Sequence, residues 1–282
     1  MSTIDQGALP APDIIEALDF ETLYARRRSR LISLYPEGER AEITATLALE
    51  SEPIVKLLQE SAYEELLLRQ RINEAARANL IQFATGSDLD QLAAFYELVR
   101  LPGEGDDRFR LRLQLAIAAL AGNGTAEHYR GRALGASLDV VDAVVLQPYP
   151  GAVQVAVWVA GGADDAAVRA LVLAALTDPA RKILGVAVSV AVARPRVVDV
   201  SARIRRTPAA PVDLAARLTV EFTGVFAAAA ALGAELPRSW LVAKLHVEGV
   251  AAVELIQPAA DILLADDEYP VAGVIQITDA GL

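Results

Sequence analysis

The stretch Leu47–Ala78, "LALESEPIVKLLQESAYEELLLRQRINEAARA", decides how the first third of this chain folds. It is rich in Leu, Glu, Ala and Arg, the strongest helix formers after alanine itself. Pro53 suits a first helical turn, and the helical pattern runs on to about Ala84, where Thr85-Gly86 offers a stop. The helix is unusual in two ways. It carries Leu66-Leu67-Leu68 in a row, and it places Arg69, Arg71, Asn73 and Arg77 where a core helix would keep an apolar stripe. Glu50, Glu52, Glu60, Glu64 and Glu65 accompany them, an arrangement suited to ion pairs along and between helices.

Other helical segments surround it. In "DFETLYARRRSRLISLYP", Asp19 can cap a helix on which Phe20, Leu23, Leu31 and Leu34 share a face, and Pro36 ends it. Before it, "LPAPD" (Leu9–Asp13) reads as a stiff, extended arm, because each proline biases its predecessor away from helix. Ser87 can cap "DLDQLAAFYELVRL", which Pro102 ends. "PGEGDD" is a short linker, "DRFRLRLQLAIAALAG" another helix, and Thr125 caps "AEHYRGRALG".

From about Ser137 the period changes to two. Val153, Val155, Val157 and Val159 share one face, as do Val186, Val188, Val190 and Val192. A helix capped by Asp164-Asp165 lies between them. "VVDVSARIRR" alternates Val198, Val200, Ala202 and Ile204 against Asp199, Ser201, Arg203 and Arg205, a strand with one wet face. Two helices and a strand follow, and "ADILLADDEYPVAGVIQIT" reads as a terminal hairpin about Asp266-Asp267-Glu268. The expected class is α+β: an N-terminal helical domain, then two small α/β sandwiches. The expected parts are 1–36 (arm and docking helix), 37–136 (helical domain), 137–195 and 196–282 (the α/β units). "ALGASLDVVDAVVLQP" (Ala133–Pro148) can be laid on "AKLHVEGVAAVELIQP" (Ala243–Pro258), an offset of 243 − 133 = 110. The match reads either as a repeat or as a shared helix-to-strand grammar.

The 282 residues are 54% hydrophobic but only 5% aromatic, and the net charge is −11. That balance argues against nucleic-acid binding, which draws its affinity from neutralised phosphates. The absence of cysteine excludes disulfides, zinc-thiolate sites and a Cys nucleophile. "MSTIDQGALP" has neither the basic nor the apolar region of a signal peptide, and no apolar run approaches the ~20 residues of a membrane helix. His128 and His246 share no metal spacing, and G-x-S-x-G, Walker and H-E-x-x-H motifs are absent. "GNGT" (Gly122–Thr125) follows a helix, so it is a C-cap running into an N-cap rather than a phosphate cradle. The acidic pairs Asp88/Asp90, Asp106-Asp107 and Asp164-Asp165 stand at helix N-termini, where they complement the macrodipole. No catalytic, cofactor or metal residue is therefore nominated.

Six blocks carry a likeness: "LPAPDIIEALDFETLYARRRSRLISLYP", "LALESEPIVKLLQESAYEELLLRQRINEAARA", "GSDLDQLAAFY", "DDRFRLRLQLA", "GTAEHYRGRALGA" and "LHVEGVAAVELIQPAADI". In this order they resemble the baseplate J proteins of contractile phage tails, over nearly the whole chain. The connection "PGEG" is shorter than in relatives that carry an insert there. The resemblance implies a non-enzymatic wedge subunit, present in phages, in tail-like bacteriocins such as pyocins, and in contractile injection systems. It would be assembled in the host bacterial cytoplasm and end in the baseplate. Its implied partners are a second copy of itself (two per wedge), a smaller wedge protein, hub and sheath-initiator proteins and the tail fibre attachment, with no nucleic acid and no membrane insertion. It would link hub, sheath and fibres, and rearrange on contraction. The interface residues it implies are Leu9, Pro10, Pro12, Ile14, Ile15, Phe20 and Leu23 on the arm and first helix, and Leu57, Leu58, Leu66, Leu68, Ile72 and Leu80 on the long helix. Periodicity alone leaves open whether those leucines fill this subunit's own core. The rival readings are an enzyme using His246, Glu248 or the Asp266-Asp267-Glu268 turn, and a tail-assembly factor that leaves before maturation.

Overall fold

The computed structural model describes residues 12, 14–120, 122, 124–179 and 182–281. These separate into two compact units. One holds the described residues up to Arg100 together with Gly105–Arg110, and the other holds Leu101–Glu104 and the residues from Leu111 on.

The first unit is helical. In α1 (Phe20–Ser33), the Asp19 carboxylate accepts the Thr22 N–H at 2.7 Å, an N-cap. After a 3₁₀ turn at Glu37–Glu39 come α2 (Arg40–Thr46) and α3 (Pro53–Ala78), with Pro53 in the first turn of α3. Helix α3 ends at Ala78, six residues before the expected stop. The next residues form turns, and the Arg110 side chain donates to the Ile81 and Ala84 carbonyls (2.9 and 2.8 Å), replacing the helical bonds they would make. Helix α4 (Gly86–Ala94) begins at Gly86 with the Thr85 side chain making no capping bond; the Asp106 carboxylate accepts the Gly86 N–H at 3.1 Å. The expected Ser87 cap is therefore not used. Nor does α4 run to Pro102. Leu98 N–H reaches back to Ala93 and Glu97 N–H to Ala94, with Glu97 at φ 55°. This is a Schellman closure in which a glutamate takes the left-handed position usually given to glycine.

The second unit contains the rest of α5 (Asp106–Ala119), then α6 (Ala126–Leu134), capped by Thr125 as expected. It is built around two cores, each a three-stranded sheet with two helices on one face. The first joins β1 (Val140–Leu146), β2 (Ala152–Val159), α7 (Asp165–Thr177) and β3 (Ala187–Val192) with α6. The second joins β4 (Arg194–Arg206), α8 (Leu214–Ala228), α9 (Arg238–Leu245), β6 (Val250–Gln257) and β8 (Glu268–Asp279). The valines of β2 and β3 and the Val198–Ile204 face of β4 point into these cores, while Arg203 and Arg205 are exposed. The class is α+β.

The expected terminal hairpin does not form. A short β7 (Ile262–Leu263) pairs instead with β5 (Glu235–Leu236), and β8 runs parallel to β4. Arg194 of β4 binds Asp267 at 3.1 Å, and its N–H donates to the Asp267 carbonyl. The acidic turn thus delivers β8 to the long β4, which offers a longer ladder than two-residue β7.

The two sheets share one plan. Each central strand (β2 or β4) is antiparallel to one edge (β1 or β6) and parallel to the other (β3 or β8). Helices α6 and α9 lead into the antiparallel edges, and α7 and α8 follow the central strands. The laid-together segments Ala133–Pro148 and Ala243–Pro258 occupy the same place in each plan. The order of blocks is exchanged: helix–strand precedes strand–helix in the first module and follows it in the second.

Candidate assembly interface

Helix α1 lies antiparallel to α3, and charged contacts set the alignment. Arg27 donates to Ser61 at 2.5 Å and to Glu65 at 2.9 Å, and Arg26 also binds Glu65. Within α3, Arg69 joins Glu65 at 2.9 Å across one helical turn. It also binds Glu16, which precedes α1. Three guanidiniums thus converge on Glu65. The Arg69 hydrogen bond first, then that of Arg26, hold its carboxyl down at about 2, against the opposing effect of burial. Asn73 is buried, and both ends of its amide are used: its oxygen accepts the Glu16 N–H at 3.0 Å, and its nitrogen donates to the Glu16 carbonyl at 2.8 Å. Of the polar residues that looked misplaced on this helix, Arg69 and Asn73 fasten the approach to α1, whereas Arg71 pairs with Glu74 of the same helix and Arg77 is exposed.

The apolar side chains of α3 divide. Val55 and Ala62 are buried with Asn73. Leu57, Leu68 and Ile72 are exposed, at 69%, 65% and 59%. At 3.6 residues per turn these three fall within roughly 60° of the circumference, one stripe. Tyr63 and Leu67 are exposed on the other flank of the buried seam. Of the residues nominated from sequence, Leu58, Leu66 and Leu80 are half-buried, as are Pro12, Ile15 and Phe20, the last stacked on Tyr24. Ile14 is exposed. Leu9 and Pro10 lie outside the described residues. One expectation is corrected: Leu23 is buried within its own unit, so it is not free for a partner. Of the expected extended stretch Leu9–Asp13 only Pro12 is described, and its carbonyl accepts the Ile15 N–H at 2.9 Å. Sequence reasoning missed exposed Leu34, just after α1, and Tyr63 and Leu67. Helical spacing from the buried seam would have found the last two.

Two shallow grooves flank Glu65. One, of about 320 Å³, is lined by Glu16, Glu65, Leu68, Arg69, Ile72 and Asn73. The other, of about 490 Å³, is lined by Arg26, Arg27, Arg30, Leu31, Leu34, Leu58 and Glu65. Both set leucine beside arginine, a surface fitted to an amphipathic helix.

Elsewhere the polar side chains make local contacts. His128 is half-buried edge-on to Tyr129, and burial first, then Arg132, push its pKa below the ordinary value. His246 is exposed at the end of α9. Asp267 and Glu268 face Arg194, and Glu268 accepts the Ala265 N–H. No cluster of three metal-ligating side chains occurs among the described residues, and no described helix is long and apolar enough to cross a membrane.

Comparison with known proteins covers this same helical region. Residues 50–103, which span α3 and α4, match the family model described as the Baseplate J-like N-terminal domain. Baseplate protein J of Escherichia phage P2 is 38% identical over 286 aligned residues, covering 94% of this chain and 93% of that protein. With that identity over nearly its whole length, the chain belongs to the baseplate J family.

Proposed function

We propose that this chain is a structural, non-enzymatic wedge subunit of the baseplate of a contractile tail or tail-like particle. It works by holding neighbours rather than by transforming a substrate. In this reading it is assembled in the bacterial cytoplasm as two copies with a smaller wedge protein. It then connects hub, sheath and fibres, and shifts on contraction. The sequence parts 1–36, 37–136, 137–195 and 196–282 are its docking arm, helical domain and two α/β modules.

The observation that supports this reading best is the Leu57–Leu68–Ile72 stripe beside the arginine-floored grooves. Exposed apolar stripes of this kind mark protein contacts. The partner chemistry that fits is a helix with an apolar face and acidic flanks. The rival enzymatic reading has less support, because the acidic turn is occupied in pinning β8 to β4.

The test is coexpression with the neighbouring tail genes, followed by native mass spectrometry. A complex containing this chain is expected, and Leu68→Asp should abolish it by burying a carboxylate with no partner. Leu66→Asp is a weaker test, since Leu66 is half-buried in its own unit and its loss could act through folding. A chain that stays monomeric with every neighbour, or a Leu68→Asp variant that assembles normally, refutes the proposal.

A further inference from the structure

The two three-stranded sheets of the second unit have four edges, and three of them carry devices that discourage pairing with another strand. On β1 the register slips between Val140 and Asp142, the Asp142 carboxylate accepts the Ala143 N–H at 2.7 Å, and Arg130 binds that carboxylate. On β6, Arg238 occupies the Leu255 carbonyl at 2.8 Å. On β8, Pro270 lacks an N–H, and the ladder is interrupted where Asp199 accepts the Val274 N–H. The fourth edge, β3, carries none of these. It pairs regularly with β2 on one side, and no described strand pairs with its other side. Ile183–Ala193 contains no charged residue, proline or glycine except Gly185.

That open edge has a sequence that matches itself. Val186-Ala187-Val188-Ser189-Val190-Ala191-Val192 reads the same in both directions about Ser189. Laid antiparallel on a second copy with Ser189 opposite Ser189, every valine meets a valine and every alanine an alanine. The valines of both copies then face the same side of the sheet, toward the helices, where Val188, Val190 and Val192 remain only half-buried. The contact is isologous, as a twofold axis requires. It sets no like charges together, although each chain carries −11. Helix α7, which packs on β3, leaves Leu171 and Leu173 exposed on its two flanks.

We propose that β3 is a self-pairing edge, through which two copies of this chain join their three-stranded sheets into one of six strands. The contact is separate from the α3 stripe and uses a surface that the wedge reading leaves unassigned. Strand pairing alone buries less than the ~1,200 Å² of a stable complex. The dimer is therefore weak in isolation and concentration-dependent, reinforced when the particle holds copies near one another.

The chain has no cysteine, so single cysteines report the register directly. The experiment uses the full chain in a Leu68→Asp background, which separates this contact from the helical one. Opposite side chains lie about 5 Å apart, so Ser189→Cys should oxidise to a covalent dimer. Ala187→Cys, placed opposite Ala191 and ~13 Å from its own symmetry mate, should not. A mixture of Ala187→Cys and Ala191→Cys chains should crosslink. In sedimentation, Ala187→Lys with Ser189→Lys should weaken self-association at least tenfold while circular dichroism is unchanged. A folded Ser189→Cys protein that stays monomeric on oxidation overturns the proposal. So do equal crosslinking at 187 and 189, and a dimer indifferent to the lysines.

Discussion

Glu104 sits in the short "PGEG" connection and reads from sequence as a solvated linker residue. In the structure its side chain is fully buried against Arg112 of α5, which is 6% exposed, at 2.5 Å. Glu104 also accepts the Leu101 N–H at 3.0 Å. Removing one partner of a buried ion pair leaves the other charge uncompensated and costs about 3–5 kcal/mol. The orphaned Leu101 N–H is worth about 1–3 kcal/mol of the same loss and does not simply add to it. Glu104→Ala is therefore expected to destabilise the second unit by about 4 kcal/mol. At about 2–4 °C per kcal/mol for a domain of this size, that lowers its melting temperature by roughly 8–16 °C. Trp158 and Trp240 both lie in this unit, so urea unfolding followed by tryptophan fluorescence reads it selectively. Coincidence with circular dichroism checks the two-state assumption. The companion variant Glu104→Leu/Arg112→Met exchanges the pair for apolar groups and should recover most of the loss, since such exchanges are often neutral or better. A Glu104→Ala loss under about 1 kcal/mol would show that the carboxylate is solvated. A double variant as unstable as the single would show that geometry, rather than an uncompensated charge, is at stake.

Two further outcomes follow from local geometry. A Cβ at Gly273 would stand 2.1 Å from Asp199 Oδ1 and 2.8 Å from Val197, so Gly273→Ala should cost about 1–3 kcal/mol in the same urea assay, and Asp199→Ala should relieve part of it. Glu65 has a folded pKa of about 2 against an ordinary 4.5, so its contribution to α1–α3 packing is full above pH 4.5 and is lost as pH falls toward 2. Carbon-detected NMR of the Glu65 carboxyl should show a midpoint near 2; one near 4 would mean that the three arginines do not engage it.

What the sequence displayed was what local rules control. The Asp19 and Thr125 caps, the Pro53 start and the valine alternation of β2, β3 and β4 each depend on neighbours within a turn or a strand. What it hid depended on partners far along the chain. Helix α3 stops at Ala78 because Arg110 takes two carbonyls 26 and 29 residues away. Helix α4 closes on Glu97 without the glycine that would have marked the place. Strand β8 abandons its sequence neighbour because Arg194, 73 residues away, fixes Asp267. The residues nominated for a partner contact divide in a similar way. The resemblance implied Leu57, Leu68 and Ile72, which are exposed, together with Leu23, which is buried in its own unit.

The run Leu66-Leu67-Leu68 now has a physical explanation. Consecutive residues on a helix are 100° apart, so three leucines in a row cannot share a face. Leu66 leans toward the seam of Val55, Ala62 and Asn73, while Leu67 and Leu68 open on opposite flanks. Arg26, Arg27 and Arg69 do not compete for those flanks, because they are committed to Glu65 and Glu16 within the chain. Part of the electrostatic pairing of α3 is thus directed inward, holding α1, while Arg71 pairs with Glu74 on the exposed side, where Lys56, Glu60, Glu64 and Arg77 stand among the exposed apolar side chains. That inward pairing suits a subunit whose helical hairpin must hold its shape before any neighbour arrives. Its own fastening is made within the chain, and the leucines it leaves exposed are the surface on which the proposed partner contact rests.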